Sequence, residues 1–209
     1  MKRKIRILIV DDHAMMRFAL AEAIAGEFDL SLIAEAANGP EALALYTKHL
    51  PDVVTMDFQL PGANGAEITA SLRAEFPGAR VVLLSVFEGE EDIWRAVQAG
   101  ALGYVPKSAE IAEVLHGIRE LAAGREYFPP AIAERLAARR RRETLSPREL
   151  QVLRAIVAGF SNKEIANSLH LSEAAVKLYI SNTLAKLGVA DRTQAAIQAV
   201  RRGIVHLDS

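Results

Sequence analysis

The 209-residue sequence contains no cysteine. Disulfides, thiolate metal sites and cysteine nucleophiles are thereby excluded, and the composition suits a reducing compartment. Long apolar runs are lacking too, and no stretch is long enough to span a bilayer. The basic start, Met1 to Lys4, leads into an apolar run too short for a secretory signal, so the expected location is cytoplasmic. Net charge is nearly absent, at −1, but the balance is uneven along the chain. Residues 1–122 hold 11 Lys/Arg against 18 Asp/Glu, a net of −7, whereas residues 123–209 hold 14 against 8, a net of +6. An acidic half followed by a basic half points to two domains, the second suited to a polyanion; two solvated surfaces of different composition are the bland alternative. With 51% hydrophobic and 24% charged residues, the chain can build globular cores.

What is present in the first half is an alternation. Ile5 to Val10, Leu30 to Ala36, Val53 to Met56, Val81 to Leu84 and the stretch ending Gly103 to Pro106 read as short buried strands. Between them lie helical patterns. One carries Met15, Met16, Phe18, Leu20 and Ile24, and one opens at Asn38-Gly39-Pro40-Glu41 and runs to about His49. Others span about Asn64 to Phe76 and Glu90 to Ala99, and Ser108 is expected to cap a last helix to about Ala122. Five such βα units predict an α/β domain with a parallel sheet covered by helices.

The stretch Pro51 to Gly65 is the centre of this half. It places Asp57 at the end of the third strand, before a loop of turn formers, Pro61, Gly62, Asn64 and Gly65. In open α/β sheets ligands bind beyond the carboxyl ends of the strands. Asp11 and Asp12 end the first strand, Ser85 the fourth and Lys107 the fifth, so all fall on the edge that holds Asp57. Each alone reads as a loop cap, but together they form a chemical set. Converging carboxylates repel one another unless a cation offsets them. Oxygen ligands with no His or Cys nearby suit Mg²⁺. A carboxylate can act as a nucleophile toward phosphorus, and Lys107 and Mg²⁺ would neutralise the phosphoryl oxygens while Ser85 donates a hydrogen bond. Asp57 stands alone on the central strand and is the candidate nucleophile; Asp11 and Asp12 form a pair suited to the metal.

Residues 123–143 form a connection broken by Gly124 and Pro129-Pro130, with a short helix expected over Ala131 to Arg142. Its four arginines, Arg139 to Arg142, suit either DNA phosphates or a solvated surface. From residue 144 the helix signals are dense. Ser146-Pro147-Arg148-Glu149 and Ser161-Asn162-Lys163-Glu164 are capping boxes, Ser172 caps a helix over Glu173 to Leu187 that Gly188 ends, and Asp191 opens a fourth. The second and third helices are joined by the turn His170-Leu171, as in a helix-turn-helix, whose second helix enters the major groove. Val176, Ile180, Leu184 and Leu187 form its apolar stripe, leaving Lys177, Ser181 and Asn182 for bases or phosphates. A helical bundle with a polar face has the same periodicity.

Both halves resemble one family. Asp11-Asp12, Met56-Asp57, Pro61-Gly62, Gly65, Ser85 and Gly103-Tyr104-Val105-Pro106-Lys107 are similar to a response-regulator receiver. Leu145-Ser146-Pro147-Arg148-Glu149-Leu150, Ser161 to Ala166, Leu171-Ser172 with Val176-Lys177, and Lys186 to Val189 followed by Arg192 to Ala195 are similar to a LuxR-type helix-turn-helix. Across nearly the whole chain this resembles the NarL/FixJ family of two-component transcription regulators. The resemblance implies a flavodoxin-like receiver with a five-stranded parallel sheet over residues 1–122, a linker over 123–143, and an all-α four-helix DNA-binding domain over 144–209. It implies that Asp57 accepts a phosphoryl group from a histidine kinase, with Mg²⁺ held by Asp11, Asp12, Asp57 and the backbone carbonyl of Gln59. Ser85, Tyr104 and Lys107 would be the switch residues, and the receiver would catalyse only its own phosphoryl transfer and dephosphorylation. The DNA-facing set would be Lys163, Ser172, Lys177, Leu178, Ser181, Asn182 and Lys186. Double-stranded DNA, a kinase, a second copy of the chain and RNA polymerase are the implied partners.

The chain departs from the family pattern at a few positions. Val86 and Phe87 follow Ser85 where the receiver pattern favours a small residue, and are expected to narrow access to Asp57. Ala175, Tyr179 and Ser181 replace residues common in relatives, which should change the DNA site. Two further readings compete: a receiver controlled by binding alone, against which the full set Asp11, Asp12, Asp57, Ser85 and Lys107 argues, and an aspartyl-phosphate hydrolase. The second would need an acid/base residue two positions after the nucleophile, where Gln59 stands.

Overall fold

The computed structural model describes residues 3–206. The chain divides into two compact units. The first runs to Glu88 and resumes over Ile93–Glu134; the second comprises Gly89–Asp92 and the chain from Arg135 onward.

The first unit is a sheet of five parallel strands, β1 (Ile5–Val10), β2 (Leu30–Ala36), β3 (Val53–Asp57), β6 (Val81–Ser85) and β7 (Gly103–Pro106), in the order β2-β1-β3-β6-β7. A two-residue hairpin, β4 (Gln59–Leu60) and β5 (Ala63–Asn64), projects after β3. The intervening helices are α1 (Ala14–Ala25), α2 (Gly39–His49), α3 (Gly65–Glu75), α4 (Glu90–Gln98) and α5 (Ile111–Ala122). The inner strands β3 and β6 are buried along their whole length because both sheet faces are covered. Strand side chains alternate between the faces. Ile7, Ile9, Val82, Leu84 and Val105 therefore point to one side, where they bury Leu20 and Ile24 of α1 and Val114, Ile118 and Leu121 of α5. The strand order reverses at the β1/β3 pair, which opens a crevice at their carboxyl ends. Asp11 and Asp57 stand there.

Local signals account for most helix starts. Asn38 accepts from the Glu41 N–H at the start of α2, and Asn64 forms a capping box with Glu67 at the start of α3. Ser108 does not cap α5. After β7 the chain makes a further turn, with the Ala109 N–H donating to the Pro106 carbonyl at 3.0 Å, and Glu110 takes the N-cap position. That turn follows an extension of the sheet, in which the Lys107 N–H donates to the Ser85 carbonyl at 2.8 Å.

The helix α6 (Pro130–Arg140) is followed by four more: α7 (Pro147–Val157), α8 (Asn162–Leu169), α9 (Glu173–Leu187) and α10 (Arg192–Arg201). Both expected capping boxes, at Ser146 and Ser161, are formed. Two small cores hold the second unit together: Val152, Ile156, Ile165, Ala166 and Val176 join α7, α8 and α9, while Leu153, Leu187, Ala195 and Ala199 join α7, α9 and α10. The α8–α9 turn is tight because His170 adopts φ 55°, a left-handed conformation that closes α8. Among the four arginines Arg139 is buried, whereas Arg140, Arg141 and Arg142 are exposed.

Candidate functional site

Two sets of residues are brought together, one in each unit. At the carboxyl edge of the sheet, Asp11 and Asp57 are buried and share one cation: Lys107 Nζ lies 2.7 Å from Asp57 Oδ2 and 2.7 Å from Asp11 Oδ2. The Gln59 N–H donates to Asp57 Oδ1 at 3.1 Å, and the His13 N–H to Asp11 Oδ1 at 2.9 Å. Asp12 is exposed on the rim. Gly65 is needed to shape this edge, because a Cβ there would stand 2.0 Å from the Asp57 carbonyl oxygen. The Gly65 N–H donates to the Phe58 carbonyl at 2.8 Å and closes the loop beneath the carboxylate.

The charges do not balance. Burial, followed by the charge of Asp11, raises the Asp57 pKa above its ordinary value even though Lys107 works the other way. Burial opposes the charge on Lys107, but Asp11 and Asp57 outweigh it and raise its pKa. One ammonium serves two buried carboxylates with a third beside them. Asp11 Oδ2, although ion-paired, has no hydrogen-bond donor aligned on it. Such a set fits a divalent cation. Ligand atoms of Asp11, Asp12, His13 and Asp57 all lie within 4.8 Å of one another.

His13 corrects the expectation of an acidic site with no histidine nearby. Its Nδ1 lies 2.8 Å from Asp12 Oδ1, 3.3 Å from Asp11 Oδ1 and 3.9 Å from Asp57 Oδ2. The turn into α1 begins at this residue, which brings the ring back over the carboxylates.

Ser85 and Tyr104 sit behind this group. Ser85 is buried, and its Oγ accepts from the Phe87 N–H at 2.9 Å. Tyr104 is fully buried with its hydroxyl donating to the Phe87 carbonyl at 2.7 Å. Phe58 meets both Phe87 and Tyr104 edge-on, with ring centroids 6.4 Å and 6.1 Å apart. Phe87 thus links Ser85 to Tyr104 through its backbone, while Val86 is 65% exposed. Sequence reasoning did not assign Phe87 this part, since a main-chain carbonyl carries no side-chain signal.

In the second unit, Lys177, Leu178, Ser181 and Asn182 are exposed on one side of α9. Val176 and Leu187 are buried on the other, with Ile180 and Leu184 packed beside them. Lys163 is exposed on α8. Ser172 caps α9, its Oγ accepting from the Ala175 N–H at 3.2 Å. Lys186 stands apart from this face: its Nζ lies 2.8 Å from Glu149 Oε2 and 3.3 Å from the Thr144 carbonyl, tying the end of α9 to the start of α7. The stripe read from apolar residues omitted Thr183, which is fully buried because its hydroxyl donates to the Tyr179 carbonyl at 2.7 Å.

Comparisons with known proteins match both halves of the chain. The response regulator receiver domain family matches residues 7–119, and the family of bacterial regulatory proteins, luxR family, matches residues 143–199. The response regulator protein VraR of Staphylococcus aureus is 32% identical over 206 residues, covering 96% of this chain and 99% of that protein. Among solved structures, the response regulator ChrA of a heme-sensing two-component system is 34% identical, covering 98% of this chain and 100% of ChrA, with a TM-score of 0.57. The RcsB response regulator of Salmonella typhimurium is 20% identical, covering 93% of this chain and 98% of its own, and shares the fold with a TM-score of 0.74.

Proposed function

The chain belongs to the response-regulator family as a DNA-binding, NarL/FixJ-type member of a two-component system, and from that premise we propose that Asp57 is its phosphoacceptor and that phosphorylation there controls DNA binding through α9. The observation that carries this reading is the shared cation: a buried Asp57 held 2.7 Å from Lys107 beside two further carboxylates. A receiver and a DNA-binding domain together imply a kinase and DNA as partners. We assign the kinase as a histidine kinase, the DNA as double-stranded, and the active form as a homodimer that works with RNA polymerase in the cytoplasm. Residues 1–122, 123–143 and 144–209 are the proposed receiver, linker and DNA-binding domain.

In this reading Asp11, Asp12 and Asp57, with the backbone carbonyl of Gln59, would hold Mg²⁺. The ion supplies charge neutralisation on the phosphoryl oxygens when bound. An Asp57 carboxylate oxygen forms the new bond to phosphorus as the phosphorus–nitrogen bond of a kinase phosphohistidine breaks, and the imidazole leaves with the electron pair. Lys107, already directed at Asp57, pairs with a phosphoryl oxygen. Ser85 turns its hydroxyl from the Phe87 N–H toward the phosphoryl group, and the Phe87–Tyr104 bond carries the change to β7. The same groups later allow water to hydrolyse the acyl phosphate, so the chain catalyses only its own phosphoryl transfer and dephosphorylation. On α9, Lys177, Leu178, Ser181 and Asn182 face the major groove, with Lys163 and Ser172 toward phosphates; Lys186 acts chiefly as a tie to α7.

Intact mass after incubation with acetyl phosphate and Mg²⁺ tests the assignment. Wild type should gain a phosphoryl adduct of about 80 Da and Asp57→Asn none. An adduct of equal yield on both proteins would place the phosphoacceptor elsewhere.

A further inference from the structure

The first unit continues past α5. Gly124, at φ 80°, turns the chain after that helix, its N–H donating to the Leu121 carbonyl at 2.9 Å. The chain then returns to the outer edge of β7, the last strand in the sheet order. There Tyr127 forms a parallel bridge with Gly103. Its N–H donates to the Leu102 carbonyl at 2.9 Å, and its carbonyl accepts from the Tyr104 N–H at 3.3 Å. Two glycines make room for it. A Cβ on Gly103 would stand 2.9 Å from the Tyr127 carbonyl oxygen, and one on Gly117 of α5 would stand 2.9 Å from Tyr127 Cδ1. The ring packs against the core, edge-on to His116 with centroids 5.0 Å apart, and its hydroxyl donates to Glu113 Oε1 at 3.2 Å.

These contacts do more than cover a sheet edge. Tyr104 is held at two points, its hydroxyl on the Phe87 carbonyl at 2.7 Å and its N–H on the Tyr127 carbonyl. The Phe87 N–H is bonded in turn to Ser85 Oγ. Hydrogen bonds and main chain therefore run without a break from Ser85 to Tyr127, beyond the end of α5. The docking is a single bridge, and its bond to Tyr104 is longer than the usual N–H···O distance. A half-buried edge pairing of this kind lies at the low end of local stability, so a shift of β7 is taken up there. We propose that Tyr127 is a strap that docks the linker on β7, and that displacement of Tyr104 releases it and thereby changes DNA binding. Strap docked and strap free are the two discrete arrangements that coupling of the phosphoacceptor to α9 requires. The trigger rests on the reading of Asp57 as the phosphoacceptor, but the strap itself is tested without a phosphodonor.

The experiment uses the full chain and a pool of promoter fragments at fixed salt, with no phosphodonor. Tyr127→Ala removes the ring. Gly117→Ala pushes it away while leaving α5 intact, since alanine favours a helix more than glycine does. Tyr127→Phe keeps the ring and the bridge and serves as the conservative variant. Amide hydrogen exchange read residue by residue reports the docking through the Tyr104 N–H. Both Tyr127→Ala and Gly117→Ala should speed exchange of that amide and change DNA affinity about tenfold, in the Asp57→Asn background as well. Tyr127→Phe should behave as wild type. Unchanged DNA affinity in a variant whose Tyr104 amide is freed would overturn the proposal, as would a Tyr104 amide that stays protected in Tyr127→Ala. The same amide is then followed in wild type with acetyl phosphate and Mg²⁺, where it should also exchange faster; protein that carries the adduct on Asp57 with no change there would overturn the proposed release. A wrong phosphoacceptor gives a different result: Asp57→Asn takes up the adduct, and the effect of Gly117→Ala stands.

Discussion

Lys107 is the residue on which the charge balance of the pocket turns. Its ordinary pKa is raised by Asp11 and Asp57 against the cost of burial. Its contribution to stability is therefore complete below the ordinary lysine value and is lost as pH rises through the raised one. Lys107→Met leaves two buried carboxylates without their cation and is expected to cost about 3–5 kcal/mol at neutral pH. Mg²⁺ or mild acid should restore part of the loss, which urea denaturation at two pH values checks. Asp57 has the opposite sign. Its raised pKa means that the folded state holds the proton longer than the unfolded chain, so this group lowers stability as pH climbs from the ordinary Asp value through the raised one. Asp57→Asn should then stabilise the metal-free protein at pH 7 by on the order of 1 kcal/mol while losing any gain from Mg²⁺, measurable by thermal unfolding with and without chelator. Asp11, Asp57, Ser85 and Lys107 were legible because each ends a strand, and parallel strands share an edge. His13 was passed over because sequence adjacency to Asp12 does not show which way a ring turns.

At the scale of elements, α9 combines two tasks on one helix. Its buried side is fixed by Val176, Thr183 and Leu187, and its far end by the Lys186–Glu149 pair. Burial disfavours the Glu149 carboxylate, but Lys186 and the Ser146 cap outweigh this and hold its pKa below the usual glutamate value. This contribution is present above that value and fades as pH falls through the lowered one. Ser146→Ala removes one side of the capping box and is expected to cost about 1 kcal/mol, read by chemical denaturation. Lys177→Ala should leave stability unchanged within about 0.5 kcal/mol and reduce the slope of log affinity against log salt by about 1. The helices around α9 were readable from caps: Ser146, Ser161, Ser172 and Asp191 each do what their position suggests. Ser108 has the same signal and fails, because the edge pairing of Lys107 with Ser85 draws the chain through one more turn before α5. Thr183 escaped the apolar count because a hydroxyl that bonds its own helix can be buried like a methyl group.

Across the whole molecule, the acidic first half carries the receiver and the basic second half the DNA-binding domain. The net charges of −7 over residues 1–122 and +6 over residues 123–209 pointed to two domains, whereas the chain's total of −1 concealed the asymmetry. In the proposed reaction the Asp57 carboxylate becomes an acyl phosphate, so the net charge falls by only about 1, but three phosphoryl oxygens enter a site where one ammonium already serves two buried carboxylates. On that proposal Lys107 and Ser85 turn from their present partners toward the phosphoryl oxygens. The most direct test of this account measures DNA binding to a pool of promoter fragments, for wild type and Asp57→Asn, before and after acetyl phosphate with Mg²⁺ at fixed salt. The account predicts that the bound fraction of wild type changes with the phosphodonor and that Asp57→Asn does not respond. A variant that responds as wild type does, or a wild type that is phosphorylated on Asp57 with no change in DNA binding, would contradict it.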